Sequence, residues 1–418
     1  MTHESLRRTN MTVGFVEVSG KEVRRLVGKL VDFLGLINVQ KEIDRYQRRL
    51  RDAGPVLRGY IQREYPWLEA LKEYYELDKA GKSVHRNLTP QIRALMVDAK
   101  KIVDLLPSMP ESVRTKYRTN LLGGTTAGGY FFEIAVAWHF MRMGCSILWS
   151  EPGNKRQAEF LVKAPACEFN VECKRISVDK SRKVRRRDFA KLGEKLALEL
   201  RHRHSFGRIV LTLDQRLPSD DASLNGLVQE VIQLLEAGKL QVSCQTASGV
   251  VSLDLAPENG VVADLPTLYN DLLVKKGADA HGLLFAERVN GRPVNPIELV
   301  VASKKSDGVL KGIAEEICHA GKEQLDVSKP AFIACFLEEV DDLRELSTDS
   351  GLQRMTCTVL AREELSHVAA VGYHGEPVVQ GTPDYQMYAS RGLLFRNPNC
   401  RFDQTRDFSF LLGDTSGP

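Results

Sequence analysis

One stretch of the sequence, residues 128–176, constrains the fold more than any other, because a helical pattern is followed there by three strand patterns. Residues from Tyr130 to Met143 are apolar almost all the way round, which predicts a buried helix. Three short apolar runs follow, with Pro and Gly in the breaks between them. These runs predict strands over residues 146–150, 158–164 and 169–176.

The third predicted strand has one apolar and one polar face. Side chains alternate along a strand, so Phe169, Val171 and Cys173 point to one side of it. Glu172 and Lys174 point to the other side and are neighbours there. This alternation predicts a carboxylate next to an ammonium group on one face of the sheet.

Two further carboxylates are expected to approach this pair. If the second and third strands form a hairpin, Glu159 comes close to Glu172 and Lys174, and Glu133 approaches from the buried helix. Glu168, near the start of the third strand, is a competing acid that we rank below Glu159. The alternative is that these are ordinary solvated strand residues. Glu133 argues against it, because an unpaired carboxylate in an apolar helix is costly.

A group of carboxylates with one lysine suits a hard divalent cation. Mg²⁺ takes oxygen ligands, keeps several waters and shares its coordination shell with substrate phosphates. Such an ion can activate water and neutralise the charge that develops on a phosphoryl oxygen. The lysine can orient the attacking water or offset phosphate charge.

On these residues the stretch resembles the PD-(D/E)xK nucleases, the restriction-endonuclease-like superfamily. Glu172-Cys173-Lys174 matches the (D/E)xK element, and Glu133 matches the carboxylate on the first core helix. Glu159 stands where the family usually has Asp, and Ala158 where it often has Pro. The resemblance covers roughly residues 125–215.

The resemblance implies a restriction-endonuclease-like mixed-sheet core and a Mg²⁺-dependent (or Mn²⁺-dependent) endonuclease that cleaves DNA. It further implies that Glu159 and Glu172 bind the metal, that Lys174 positions water and that Glu133 completes the site. The family serves restriction, repair, recombination and phage defence, and we expect a role in restriction or phage defence. Since Glu159 departs from the family pattern, a nucleic-acid-binding module with a degenerate, non-cleaving site is the alternative.

A basic run follows the (D/E)xK element. Six of the eight residues from Lys180 to Arg187 are basic. Phosphate contacts would be useful there, and the alternative is a solvated helix start. The predicted helix 188–203 and strand 208–213 are expected to continue the core through a right-handed crossover. The residues expected to bind nucleic acid are Arg182, Lys183, Arg185, Arg186 and Arg187.

The fold class expected for the whole chain is α/β (α+β), in three regions. Residues 1–122 predict a mainly helical region, 123–216 the nuclease-like core, and 217–418 an α+β region that either extends the core sheet or forms its own domain. The helical region is expected to provide a homo-oligomer interface, a surface for a partner protein or a clamp on the substrate. A third hypothesis is that the protein is a structural adaptor whose function lies in this helical region. The Gly-rich segment 123–129 predicts either a phosphate-binding loop or a flexible joint.

Composition is that of a globular protein, with 43% hydrophobic and 27% charged residues and a net charge of +4. This mild basicity does not by itself predict nucleic-acid binding. The eight cysteines are scattered and contain no CxxC pair, so we expect reduced thiols and a cytoplasmic location. The sequence predicts no membrane span.

Overall fold

A computed structural model gives the fold of the chain. It describes residues 8–123, 127–151, 157–165, 167–177, 181–200, 205–257, 280–289, 292–338, 343, 351–375, 378–382 and 385–402. In these ranges the fold is mixed α/β with two mixed β-sheets, so the expected fold class is confirmed at that level. No helix in the described ranges has the length and apolar character needed to cross a bilayer.

The chain divides into two compact units. The first consists of Met1–Arg48, Gln62–Val178 and Leu310–Pro418, and the second of Arg49–Ile61 and Asp179–Val309. The chain therefore leaves the first unit after the core strands and returns to it about 130 residues later. This division differs from the predicted regions, because all three of them (1–122, 123–216 and 217–418) are shared between the two units.

The predicted helical character of residues 19–122 is confirmed. Ser19 forms a capping box with Glu22, and Thr89 accepts a hydrogen bond from the Ile92 N–H at 3.2 Å. Pro66 begins a new helix just after another ends at Glu64, because proline is tolerated in a first helical turn but not inside a helix. The helices in the described ranges are α1 (Val23–Leu34), α2 (Leu36–Asp52), α3 (Pro55–Glu64), α4 (Pro66–Lys79), α5 (Pro90–Leu105), α6 (Glu111–Asn120), α7 (Ala127–Arg142), α8 (Arg186–Leu200), α9 (Asp221–Glu236), α10 (Val309–His319) and α11 (Gly351–Leu360).

The strands fall into two sheets, one in each unit. The first-unit sheet contains β1 (Arg8–Val18), β2 (Ser146–Trp149), β3 (Phe160–Lys163), β4 (Glu168–Ser177), β10 (Ala331–Glu338), β11 (Val368–His374), β12 (Val378–Thr382) and β13 (Tyr385–Arg396). The second-unit sheet contains β5 (Ser205–Leu213), β6 (Gln241–Gln245), β7 (Gly249–Pro257), β8 (Ala280–Val289) and β9 (Arg292–Ser303).

The first-unit sheet runs in the order β1-β13-β11-β10-β4-β3-β2, with β12 paired to β13. β10 lies between β4 and β11 and is parallel to both, whereas the other pairs are antiparallel. The sequence of β10, AFIACFLE, is apolar on both faces, as expected for a central strand covered on both sides.

The predicted hairpin of the core stretch is present. β3 and β4 pair antiparallel, with Phe160 opposite Val171, and β2 pairs with β3 on the other side. The N–H of Ser150 donates to the carbonyl of Glu159 at 3.2 Å and so extends the β2–β3 pairing beyond the strand. Helix α7 packs on this sheet, where Phe140 contacts Phe169 edge to face.

The second unit has its own core. Its sheet runs in the order β6-β7-β5-β9-β8, and apolar residues of α8 and α9 form one buried cluster with β5, β7 and β9. The prediction that α8 and β5 continue the core sheet after β4 is therefore wrong. The parallel neighbour of β4 is β10, which follows α10 after the whole second unit. Sequence proximity favoured β5, but a domain-sized insertion separates β4 from its partner.

Candidate functional site

Glu133 lies in the buried helix α7 and its side chain is nearly fully enclosed. It is not left unpaired. The Tyr117 hydroxyl donates a hydrogen bond to Glu133 Oε2 at 2.9 Å, and Lys116 Nζ donates to the same oxygen at 3.2 Å. Both partners come from α6, so packing of α6 against α7 provides the polar partners that a buried carboxylate requires.

Lys116 also contacts Glu159, the residue immediately before β3. Its Nζ donates to Glu159 Oε2 at 2.7 Å, so one ammonium group bridges two carboxylates. Burial alone would lower the pKa of Lys116, but the charges of Glu133 and Glu159 outweigh it and raise that pKa. Lys116 is therefore protonated, and it joins the helix carboxylate to the strand carboxylate.

Burial raises the pKa of Glu133, and the negative charge of Glu159 raises it further. The Lys116 ammonium and the Tyr117 hydrogen bond oppose these effects without reversing them. The pKa values of Glu133 and Lys116 thus both rise, although an isolated ion pair would lower the carboxyl pKa. Burial determines the direction of the pKa shift of Glu133, because this side chain is almost fully enclosed. Lys116 keeps about a quarter of its side chain exposed (26%), and the carboxylate charges determine the direction of its pKa shift.

Glu172 and Lys174 form a second ion pair on β4. Lys174 Nζ lies 2.6 Å from Glu172 Oε1, which confirms that these side chains are neighbours on one face of the strand. Glu172 retains only 3% side-chain exposure, so it is not an ordinary solvated strand residue. Burial raises the pKa of Glu172 to about 7; Lys174 opposes the rise and the charge of Glu159 adds to it.

The predicted carboxylates share one electrostatic neighbourhood. The charge of Glu159 acts on both Glu133 and Glu172. The thiol of Cys173, between Glu172 and Lys174 in sequence, has its pKa raised by burial and then by all three carboxylates. The structure therefore groups Glu133, Glu159, Glu172 and Lys174 in one region of the first unit, which we call the carboxylate cluster and which also includes Lys116 and Tyr117.

The charge of the carboxylate cluster suits a divalent cation, but the described side chains are not arranged as a complete set of metal ligands. When every group is ionised, three carboxylates and two ammonium groups leave one uncompensated negative charge in a largely buried site. Such a charge attracts a proton or a cation. Among the residues that the structure describes, no three His, Cys, Asp or Glu side chains form a group that could hold a metal ion. The cation between Glu133 and Glu159 is instead the Lys116 ammonium.

The competing acid Glu168 lies at the other end of the β3–β4 hairpin. It pairs with Lys163 across the hairpin at 3.1 Å, and both side chains are about half exposed. An exposed ion pair of this kind contributes little to stability. Its position separates Glu168 from the carboxylate cluster and supports the ranking of Glu159 above it.

Sequence reasoning missed Lys116 and Tyr117. They lie on a predicted helix, but 17 and 43 positions separate Lys116 from the two carboxylates that it contacts. A Lys-Tyr pair carries no motif. The sequence does indicate that the buried Glu133 needs a polar partner, but it does not indicate where in the chain that partner lies.

The predicted basic run belongs to the second unit, whereas the carboxylate cluster belongs to the first. Val184, in the middle of the run, is buried in the second-unit core, and the Lys183 N–H donates to Asp307 at 2.6 Å. The four other predicted cations are half-buried except Arg187, which is exposed at the start of α8. The run is therefore anchored, and it is neither fully solvated nor free. Residues 124–126 of the Gly-rich segment and Lys180 lie outside the described residues.

Comparison with known proteins gave no match: no family model and no curated protein matches the chain, and no solved structure matches its fold.

Proposed function

We propose that this protein is a Mg²⁺-dependent or Mn²⁺-dependent nuclease that hydrolyses phosphodiester bonds in DNA, built on a restriction-endonuclease-like core. The observation that carries the proposal is the carboxylate cluster itself. Glu133 lies on α7, Glu159 immediately precedes β3 and Glu172 lies on the adjacent β4, where Lys174 is 2.6 Å from it. This is the set of residues that the resemblance to PD-(D/E)xK nucleases singled out.

The order of elements in the first unit supports the proposal. Helix α7 is followed by the antiparallel strands β2, β3 and β4, and later by α10 and the parallel strand β10. The resemblance leads us to expect that the strand with the (D/E)xK element is followed by a helix and a further strand of the same sheet. In this chain the larger segment of the second unit, Asp179–Val309, is inserted between β4 and α10.

The roles of the side chains follow from their chemistry. Glu159 and Glu172 would hold the divalent cation through carboxylate oxygens. When bound, the cation would supply a more acidic water and charge neutralisation at the phosphoryl group. Lys174 would orient the attacking water, since its ammonium is held in place by Glu172. Glu133 would complete the site as the third carboxylate, since the charge of Glu159 already acts on it.

A cleavage assay with matched variants tests the proposal. Supercoiled, linear and single-stranded DNA are each incubated with the wild-type protein and Mg²⁺ or Mn²⁺, with EDTA as the control. We expect metal-dependent cleavage by the wild type and by Glu168→Gln, which removes an exposed carboxylate at the other end of the hairpin. Glu172→Gln and Lys174→Met should lose cleavage while remaining folded. Absence of metal-dependent cleavage by the wild type, or equal rates in all four proteins, contradicts the proposal.

A second candidate is a nucleic-acid-binding module of the same fold that does not cleave. The observation that favours it is Lys116, whose ammonium occupies the position between two of the carboxylates. This candidate predicts that the wild type binds DNA in EDTA and leaves it intact in Mg²⁺ and in Mn²⁺. The same binding and cleavage assays therefore separate the two candidates.

A further inference from the structure

Lys116 is held as a bound cation would be. Its Nζ is 3.2 Å from Glu133 Oε2 and 2.7 Å from Glu159 Oε2, and it lies 5.4 Å from the ring centroids of both Tyr117 and Tyr130. Two carboxylates and two aromatic rings thus surround one ammonium group. Its side chain keeps 26% of its surface exposed, which leaves the flexible stem a route to solvent.

The charges of the cluster explain why this ammonium competes with a metal ion. When every group is ionised, the three carboxylates and Lys174 without Lys116 carry two net negative charges, which a single divalent cation neutralises. Lys116 neutralises only one of them. A divalent cation bound in addition to Lys116 would leave the largely buried cluster with a net positive charge, which is unfavourable. Exchange of one cation for the other therefore balances the charge better than binding both.

We propose that Lys116 is a positioning residue that holds Glu159 against Glu133 in the metal-free protein, and that a divalent cation binds this cluster by displacing its ammonium. The choice of Mg²⁺ or Mn²⁺ as the cation rests on the proposed function. The inference deepens that function, because it makes Lys116 the residue that sets the concentration at which metal enters.

The test is direct binding of Mn²⁺, measured by electron paramagnetic resonance at one fixed pH without DNA. Lys116→Met removes the competing charge and keeps the length of the side chain. We expect it to bind Mn²⁺ about tenfold more tightly than the wild type, or more. Lys116→Arg keeps a cation between the carboxylates and should stay close to the wild type. Lys101→Met is the matched control, since Lys101 is a buried lysine of the same unit whose ion pair in the described residues is with Asp98.

Loss of the Lys116 charge leaves two nearby carboxylates uncompensated, so Lys116→Met is checked for folding by thermal unfolding. If it does not fold, Lys116→Gln replaces it, because the amide can still donate a hydrogen bond to one carboxylate. Tighter Mn²⁺ binding in the neutral variant supports the inference, even where the wild type binds no measurable Mn²⁺. Equal or weaker binding overturns it. The cleavage assay is separate: tighter binding without any cleavage overturns the nuclease proposal and leaves the role of Lys116 standing.

Discussion

Helix α7 carries two buried ionisable residues in contrasting surroundings. Glu133 has a tyrosine hydroxyl and an ammonium group within hydrogen-bond distance. His139, six positions later on the same helix, is also buried, yet its Nε2 has no hydrogen-bond partner among the described residues. Neither ring nitrogen of the buried His374 on β11 has one either. Glu133 thus has a built polar site, whereas His139 and His374 are neutral rings in an apolar core.

The difference shows which buried polar residue indicates a functional site and which one only packs in the core. Burial lowers the pKa of His139 to about 4 and that of His374 to about 3, so both imidazoles are uncharged at neutral pH. An uncharged imidazole next to Phe132 behaves as an aromatic core residue. A carboxyl group held between an ammonium and a hydroxyl instead keeps polar partners inside the fold. We therefore assign chemistry to Glu133 and packing to His139.

The largest effect is expected from Glu159. If Glu159 binds metal, Glu159→Gln should lower the rate of metal-dependent DNA cleavage by about 1000-fold, because it removes the ligand charge. Glu159→Asp introduces the residue usual in PD-(D/E)xK nucleases and should keep part of the activity. Single-turnover cleavage rates in Mg²⁺ measure both. Equal rates in the two variants would show that Glu159 is no ligand.

The titration of His139 should change stability and leave activity alone. A histidine with a lowered pKa is protonated more readily in the unfolded chain, so its stabilising effect is complete above its ordinary pKa of 6.5. It is lost as pH falls from 6.5 towards 4. Replacing the ring by a similar apolar group, in His139→Leu, should remove this loss.

Urea unfolding at pH 4.5 and pH 7.5 checks this prediction. The pH-dependent loss of unfolding free energy in the wild type should be smaller in His139→Leu, by on the order of 3 kcal/mol when extrapolated to pH 4. Cleavage of DNA at pH 7.5 should be unchanged. If His139→Leu abolishes cleavage in a folded protein, the assignment of packing alone to His139 fails.

The smallest effect is expected from the basic run. Arg187 is its exposed member, whereas Arg185 and Arg186 are half-buried, so Arg187→Ala is the cleanest single change. If Arg187 contacts a phosphate, its loss should weaken DNA binding modestly for every sequence. The slope of log affinity against log salt should fall by about one.

The measurement uses an inactive Glu172→Gln background at several salt concentrations. The triple replacement of Arg185, Arg186 and Arg187 by Ala should flatten the slope further, and metal binding should be unaffected by either change. Wild-type affinity and slope in the triple variant would move the nucleic-acid surface elsewhere. The Arg-rich helix α2 would then be the next candidate.

Local patterns in the sequence predicted most of the core around the cluster. The all-apolar run identified α7, and alternation along FNVECKRI placed Glu172 and Lys174 on one face. These features depend on residues close together in the chain. The pairing of β4 with β10 and the bridging by Lys116 depend on contacts across an insertion or between helices. Neither has a local signature, which is why β5 was assigned to the wrong sheet and Lys116 was not found.

The most direct test of the central claim is anomalous diffraction from crystals of the protein soaked in Mn²⁺. The account predicts one anomalous peak within about 2.2 Å of carboxylate oxygens of Glu159 and Glu172, with the Lys116 ammonium displaced from Glu159. The same soak of Glu172→Gln crystals should weaken or remove the peak. A wild-type map with no peak at these carboxylates, and with Lys116 still bridging Glu133 and Glu159, would contradict the claim that the cluster binds metal.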